Sequence, residues 1–161
     1  MRRILSFISV FALLFTACEG DPGPPGFDGE IIASSAFEIE IDFTPGNNYE
    51  VIEAYGFEVL PTDVTLVYLL WDVVNGLDVW RLVPQTVQFN DGNLVYNYDF
   101  TQLDVRLFLD GTTNFGTLDP SYTQQQVFRV VVVPADNVGR FDVSDLDELM
   151  NMYGITEFQR H

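Results

Sequence analysis

Few of the side chains that carry out covalent or metal chemistry occur in this 161-residue sequence. It has one cysteine, Cys18, one histidine, His161, and no lysine. These counts exclude an internal disulfide, a Cys/His nucleophile pair, a Cys/His zinc site and a lysine Schiff base. The 24 Asp and Glu residues leave carboxylate pairs, as in glycoside hydrolysis, where two acids stand about 5 to 9.5 Å apart. So many acids form such pairs by chance, and we predict no catalytic residues and no enzyme.

Cys18 follows a segment with the pattern of a secretory signal. Two arginines precede an apolar run over residues 4–15, and small residues follow it. The run is shorter than the roughly 20 apolar residues of a membrane-spanning helix. The sequence FTAC at residues 15–18 resembles a bacterial lipobox, with Phe15 where leucine is usual. This resemblance implies that residues 1–17 are a signal peptide and that Cys18 carries acyl chains, which anchor the protein to a membrane.

A glycine-rich segment, CEGDPGPPGFDGE, occupies residues 18–30 and has glycine at every third position for four triplets. Collagen requires this period because only a hydrogen atom fits the axis of its triple helix. Four triplets form few interchain hydrogen bonds to offset the entropy of ordering three chains. We therefore predict a semi-rigid extended linker, reaching roughly 37 Å for twelve residues at about 3.1 Å each.

A lipobox cysteine, Gly-x-y triplets and a following β domain together resemble the collagen-like lipoproteins of Gram-negative bacterial envelopes. The segments WRLVPQT at 80–86, YNYDFT at 96–101 and FRVVVVP at 128–134 are also similar to the C-terminal domain of that group. The resemblance implies an outer-membrane lipoprotein of the cell envelope. Glu19 and Asp21 resemble the acidic tags that send some of these lipoproteins to the outer surface, and the periplasmic face stays open as well. The group has no established activity, so the resemblance implies location and architecture alone.

Residues 31–161 show the alternation of half-buried β-strands. Phe37, Ile39, Ile41 and Phe43 alternate with acidic residues, and similar patterns cover residues 94–100 and 105–110. Two runs, Val64 to Val74 and Val127 to Val133, are apolar on both faces and predict central strands. Asn75-Gly76 and Asp110-Gly111 are turn dipeptides that favour hairpins. The sequence predicts an all-β fold, an antiparallel β-sandwich of immunoglobulin-like or jelly-roll-like type.

One C-terminal helix is predicted near residues 144–153. Ser144 is the expected N-cap, Leu146, Leu149, Met150 and Tyr153 have helical spacing, and Gly154 ends the helix. We expect it to cover an open end of the sandwich.

The charge of the chain restricts its partners. Without residues 1–17 it has five arginines against 24 acidic residues, a formal charge of −19, which predicts no binding of nucleic acid. Residues 110–114 and 142–147 are candidate calcium loops, but neither has the EF-hand spacing. A hairpin turn and a helix cap explain them better. No cofactor is predicted, and loop-bound calcium stays open.

Five aromatic residues, with Asp and Asn nearby, form a candidate platform for stacking against sugars. They are Trp71, Trp80, Tyr96, Tyr98 and Tyr122. Trp80 and Arg81 are neighbours on a strand and point to opposite faces, so one of them is expected at the surface. The predicted binding residues are therefore Trp71, Trp80 and Arg81, with a glycan or an envelope protein as the ligand. The alternative is that these aromatics are ordinary strand and core residues.

Arg129 lies among valines and is predicted to pair with a carboxylate, for which Asp99 and Asp104 are the candidates. Together these features predict a membrane-anchored envelope lipoprotein that displays a monomeric acidic β-sandwich with a structural or binding role. The alternative is an accessory lipoprotein that binds or processes polysaccharides.

Overall fold

The computed structural model describes residues 35–135 and 142–161. The chain divides into two units, Met1–Glu30 and Ile31–His161, and the described residues belong to the second. The predicted signal peptide, Cys18 and the Gly/Pro linker lie outside the described residues.

Nine strands and one α-helix form within residues 35–135 and 142–161. They are β1 (Ser35–Ile41), β2 (Glu50–Ala54), β3 (Asp63–Val74), β4 (Leu77–Leu82), β5 (Gln85–Phe89), β6 (Gly92–Phe100), β7 (Asp104–Gly111), β8 (Gln126–Pro134), α1 (Leu146–Tyr153) and β9 (Gln159–Arg160). One sheet, sheet A, has the order β4-β3-β8-β1-β9, and the other, sheet B, has the order β2-β7-β6-β5. Their pairs are antiparallel except β1 with β9. The predicted all-β antiparallel sandwich with one helix is confirmed.

The main core lies between the two sheets and is built by alternation along the strands. Phe37 and Ile39 of β1 face Leu94 of β6 and Leu107 of β7 across this core, and all four are buried. The acidic residues between the inward positions of β1 point away from the core, as the alternation predicts. Phe100, the last apolar position of the pattern in β6, is instead 41% exposed because it stands at the end of its strand.

Strand β8 occupies the centre of sheet A and is apolar on both faces, as predicted for a central strand. Phe128 and Val130 enter the main core, whereas Val131 and Val133 belong to a second buried cluster with Leu146 and Leu149 of α1. Strand β3 is also internal, but it pairs with β8 only over residues 63–69. Beyond that point it continues with β4 as an exposed hairpin.

The helix is where it was predicted, but its cap and its position differ from the prediction. Asp145, not Ser144, is the N-cap, and its carboxylate accepts a hydrogen bond from the Glu148 amide at 3.0 Å. Ser144 instead donates to Asp142, through both its amide and its hydroxyl. Gly154 ends the helix in the left-handed conformation, as predicted. The helix covers the outer face of sheet A rather than an end of the sandwich. Leu146 and Leu149 pack there in one buried cluster with Val131 and Val133. It is too short to span a membrane, and no other helix in the described ranges is long and apolar enough to do so.

The two turn dipeptides behave differently. Asn75-Gly76 forms the β3–β4 hairpin with both residues at positive φ, as predicted. Asp110-Gly111 was wrongly predicted as a hairpin, since Gly111 stays in β7 opposite Leu94. A Cβ atom at Gly111 would stand 2.1 Å from the carbonyl oxygen of Asn93. Glycine is therefore required there by close backbone approach and not by a tight turn.

The two long sides of the sandwich are closed in different ways. On one side Val83 and Pro84 carry the chain from β4 in sheet A to β5 in sheet B. On the other side the His161 ring stacks on Phe37 with 4.3 Å between centroids, and its Nδ1 lies 2.9 Å from Oε1 of Glu53 in β2. His161 thus joins the edge of sheet A to the edge of sheet B.

Candidate functional site

An irregularity in β3 determines where Trp71 lies. Leu70 pairs with Trp80 and Asp72 pairs with Val79, so Trp71 is an extra residue between two ladder pairs. Such a β-bulge redirects the side chain at that point of the strand. The Arg81 guanidinium lies over the Trp71 ring at 4.1 Å from the centroid. A cation at this distance from an indole is an attractive contact and holds the ring in place.

Trp71 lines an open cleft of about 550 Å³, named here the Trp71 cleft. Its walls come from β3 and the start of β8 in sheet A, from β5 and β6 in sheet B, and from the loop that precedes β8. The lining residues are aliphatic (Leu69, Leu70, Val87 and Val127), aromatic (Trp71, Tyr96 and Tyr122) and uncharged polar (Ser121, Gln124, Gln125 and Gln126). This volume is in the range of small-molecule sites in proteins, which are about 300 to 1,000 Å³.

Hydrogen bonds fix the loop that forms one wall of the cleft. The Gln126 side-chain amide donates to the carbonyl oxygens of Ser121 and Gln124 at 2.9 and 2.7 Å. The Tyr96 hydroxyl donates to the Tyr122 carbonyl at 2.8 Å. Burial raises the pKa of the Tyr96 phenol, so this hydroxyl stays protonated and keeps donating. These bonds tie the wall to β6 and β8 of the sandwich itself.

The backbone of Gln125 is strained. Its φ of 51° lies in the left-handed region, which costs a residue with a side chain about 1 to 3 kcal/mol. Its amide donates to Oδ1 of Asp42 at 2.8 Å. The Phe43 amide donates to the Thr123 carbonyl at 2.7 Å, which ties the same loop to the chain beyond β1. The surrounding bonds therefore impose a conformation on Gln125 that it would avoid alone.

The Trp71 cleft differs from a second cavity on the outer face of sheet A by its charge. None of the residues that line the Trp71 cleft is charged, although the chain has 24 acidic residues. The second cavity, of about 290 Å³, includes three acidic side chains and two arginines among its lining residues: Glu38, Glu40, Asp78, Arg129 and Arg160. The Trp71 cleft suits a ligand without formal charge.

Trp80 belongs to the outer cavity and does not reach the Trp71 cleft. Arg129 lies over Trp80 at 4.0 Å and over Phe158 at 4.4 Å. Its Nε is 3.1 Å from Oε2 of Glu38, whose other oxygen is 3.5 Å from Nε of Arg160. This group of five residues is named the Arg129 cluster.

The prediction that Asp99 or Asp104 pairs with Arg129 is wrong. Glu38 is directly opposite Arg129 in the β1–β8 pair, whereas Asp99 and Asp104 belong to sheet B. Asp99 there pairs with Arg106, and Asp104 accepts a hydrogen bond from the Thr101 hydroxyl at 2.8 Å.

The predicted aromatic platform is divided by the fold. Trp71, Tyr96 and Tyr122 meet in the Trp71 cleft, whereas Arg81 contacts the Trp71 ring but is not among the residues that line the cleft. Trp80 lies in the Arg129 cluster. Tyr98 packs against the main core, and its hydroxyl donates to the Thr65 carbonyl at 3.1 Å. The three consecutive glutamines at 124–126 were not predicted as site residues. Their side-chain amides, close after Tyr122 in the sequence, were the pattern that could have indicated them.

The two candidate calcium loops are occupied by internal hydrogen bonds. Asp142 accepts from Ser144, which lowers the pKa of the Asp142 carboxyl, and Asp145 caps the helix. Asn114 accepts from the Gly116 amide within its own loop. Across residues 35–135 and 142–161 there is no group of three or more His, Cys, Asp or Glu placed to hold a metal ion.

These features define the protein, over its described residues, as a two-sheet antiparallel β-sandwich with a helix on one outer face and an uncharged aromatic cleft. No family model, no curated protein and no solved structure matches the chain.

Proposed function

We propose that this chain is a lipid-anchored protein of the bacterial cell envelope that acts by binding. Acyl chains on Cys18 attach it to the outer membrane, and residues 18–30 act as the linker to the acidic sandwich. The position of the single cysteine supports the anchor, because it follows the apolar run where acylation chemistry needs it. The resemblance to collagen-like envelope lipoproteins supports the same location.

The observation that carries the binding role is the Trp71 cleft. It combines an aromatic side chain, hydrogen-bonding amides and a wall fixed by internal hydrogen bonds, which is how binding sites are generally built. No carboxylate lines it, so the pair of acids that glycoside hydrolysis requires is missing from the cleft itself. The cleft therefore favours binding over hydrolysis.

The second candidate is an accessory protein that binds polysaccharides for other envelope proteins. The three aromatic residues and four uncharged polar residues of the cleft favour it, because sugars present both C–H faces and hydroxyl groups.

The anchor is tested by replacing Cys18. In a Gram-negative host grown with an alkyne analogue of palmitate, the unaltered protein should incorporate the label and sediment with outer membranes. Cys18→Ala should lose the label and leave the membrane fraction. Ser6→Ala, a change within the signal that spares the cysteine, should behave like the unaltered protein. An unlabelled parent protein, or Cys18→Ala that stays equally membrane-bound, would contradict the anchor.

A further inference from the structure

We propose that the Trp71 cleft is the binding site for a neutral oligosaccharide. This inference rests on the proposed binding role of that cleft and adds to it the class of ligand and a preference for neutral over acidic glycans. It does not depend on the lipid anchor.

Trp71 supplies the apolar surface of the proposed site. The β-bulge places it in the cleft, and Arg81 covers the ring at 4.1 Å. The indole is half-buried, so packing a ligand against its apolar surface costs less side-chain entropy than ordering a fully exposed ring. The C–H groups on one side of a pyranose ring are a flat apolar partner for such a surface.

Polar groups around Trp71 supply hydrogen bonds for a ligand. Gln124 and Gln125 are exposed, and each carries a side-chain amide that both donates and accepts hydrogen bonds. Sugar hydroxyls also donate and accept, so amides match them better than carboxylates, which only accept. Gln125 lines the cleft together with Trp71, and the bond from its backbone amide to Asp42 holds its left-handed backbone.

The charge of the protein around the cleft disfavours acidic ligands. The chain as predicted after signal removal carries a formal charge of −19, yet the cleft is lined by uncharged residues. The surrounding field opposes the approach of uronic acids, sulfated glycans and phosphates. A neutral chain of sugars meets no such barrier. The observations therefore favour neutral over acidic glycans.

The experiment uses the two tryptophans of the chain as separate reporters. Trp80→Phe leaves Trp71 as the only tryptophan, and Trp71→Phe leaves Trp80. The full chain is purified with its anchor in a zwitterionic detergent that has no sugar headgroup. Each variant is titrated with four neutral hexasaccharides, of β-linked glucose, α-linked glucose, mannose and xylose, and with hexagalacturonate.

We expect at least one neutral hexasaccharide to shift the Trp71 emission and to protect it from acrylamide quenching, while the Trp80 emission stays constant. Calorimetry should show that Trp71→Ala weakens binding at least about tenfold, whereas Trp80→Phe leaves it unchanged. Gln125→Gly removes the amide but suits the left-handed backbone, so it should weaken binding without lowering stability.

Three results would each overturn the proposal: none of the four neutral hexasaccharides binds, hexagalacturonate binds as tightly as the best of them, or the response comes from Trp80. The anchor is judged separately by fractionation of Cys18→Ala. Binding by a chain that is not acylated would leave this inference intact and refute the anchor. Acylation without binding would do the reverse.

Discussion

Arg129 makes two kinds of contact, an ion pair with Glu38 and a cation–π contact with Trp80, and substitutions can measure them separately. The side chains of Arg129 and Glu38 are only 20% and 16% exposed, so their pair is partly shielded from water. Breaking a fully buried pair costs about 3 to 5 kcal/mol, but here Arg160 remains 3.5 Å from Glu38 and limits the loss. The contact with Trp80 adds about 0.5 to 2 kcal/mol. We therefore expect Arg129→Met, which keeps most of the aliphatic stem, to lower the free energy of unfolding by about 2 to 3 kcal/mol.

The contact with Trp80 is isolated by a double-mutant cycle. Arg129→Met, Trp80→Leu and the double variant are unfolded in urea and followed by circular dichroism, which does not depend on the tryptophan that is removed. A coupling of about 1 kcal/mol is expected for a cation 4.0 Å from the ring centroid. Arg106→Met is the matched control, since Arg106 pairs with acids on the outer face of sheet B but is 39% exposed, and its loss should be smaller. Additivity within about 0.3 kcal/mol would refute the argument that Trp80 stabilises the cation.

Three further predictions concern single positions. Gly111→Ala should cost about 3 kcal/mol or more in urea unfolding because its Cβ meets a backbone oxygen, whereas Gly76→Ala, with no atom within 4 Å, should cost only about 1 kcal/mol; equal losses would contradict the close approach. Asp145→Ala should lower stability by about 1 kcal/mol through loss of the helix cap, and no change in the urea midpoint would contradict its assignment. The hydrogen bond from the Thr113 hydroxyl, with that from the Asn114 amide, lowers the pKa of the Asp91 carboxyl below its ordinary 3.8. Asp91 therefore contributes stability that is present above its unfolded pKa and is lost as pH falls through its lower folded pKa. Thr113→Val should flatten the decline of stability as the pH falls below the ordinary range of a carboxyl group, and an unchanged acid limb would count against this linkage.

The strands were predictable because their signal is local. Phe37 and Ile39 on β1 and Leu107 on β7 alternate with polar residues, and a period of two places them on the core face whatever the topology. Because β8 is apolar on both faces, its sequence also indicates that another element packs over Val131 on the outer face of sheet A. It did not say which element supplies that cover, since many arrangements of α1 bury the same stripe of side chains.

The errors arose where a contact depends on strand order. Arg129 and Glu38 are 91 residues apart in sequence and meet only because β1 lies beside β8. Nothing in the local sequence of Arg129 distinguishes Glu38 from Asp99. Likewise Gly111 was taken for a turn residue because Asp-Gly is a common turn dipeptide, whereas its neighbour across the sheet is the real constraint.

The candidate site was predicted in part. The opposite orientation of Trp80 and Arg81 follows from strand alternation, and Arg81 does lie with Trp71 while Trp80 faces the Arg129 cluster. The bulge that makes Trp71 an extra residue is visible only in the pairing of β3 with β4. The left-handed backbone of Gln125 was not predictable, because it depends on the bond to Asp42 and not on the local sequence.

Two departures from regular structure meet in the Trp71 cleft. A β-bulge interrupts the ladder at Trp71, and the left-handed Gln125 stores strain in the loop opposite. Local conflicts of this kind concentrate at functional sites, because selection for a ligand can outweigh a small loss of stability. Their coincidence with the uncharged lining of an otherwise acidic protein favours this cleft, over the charged cavity beside Trp80, as the proposed binding site.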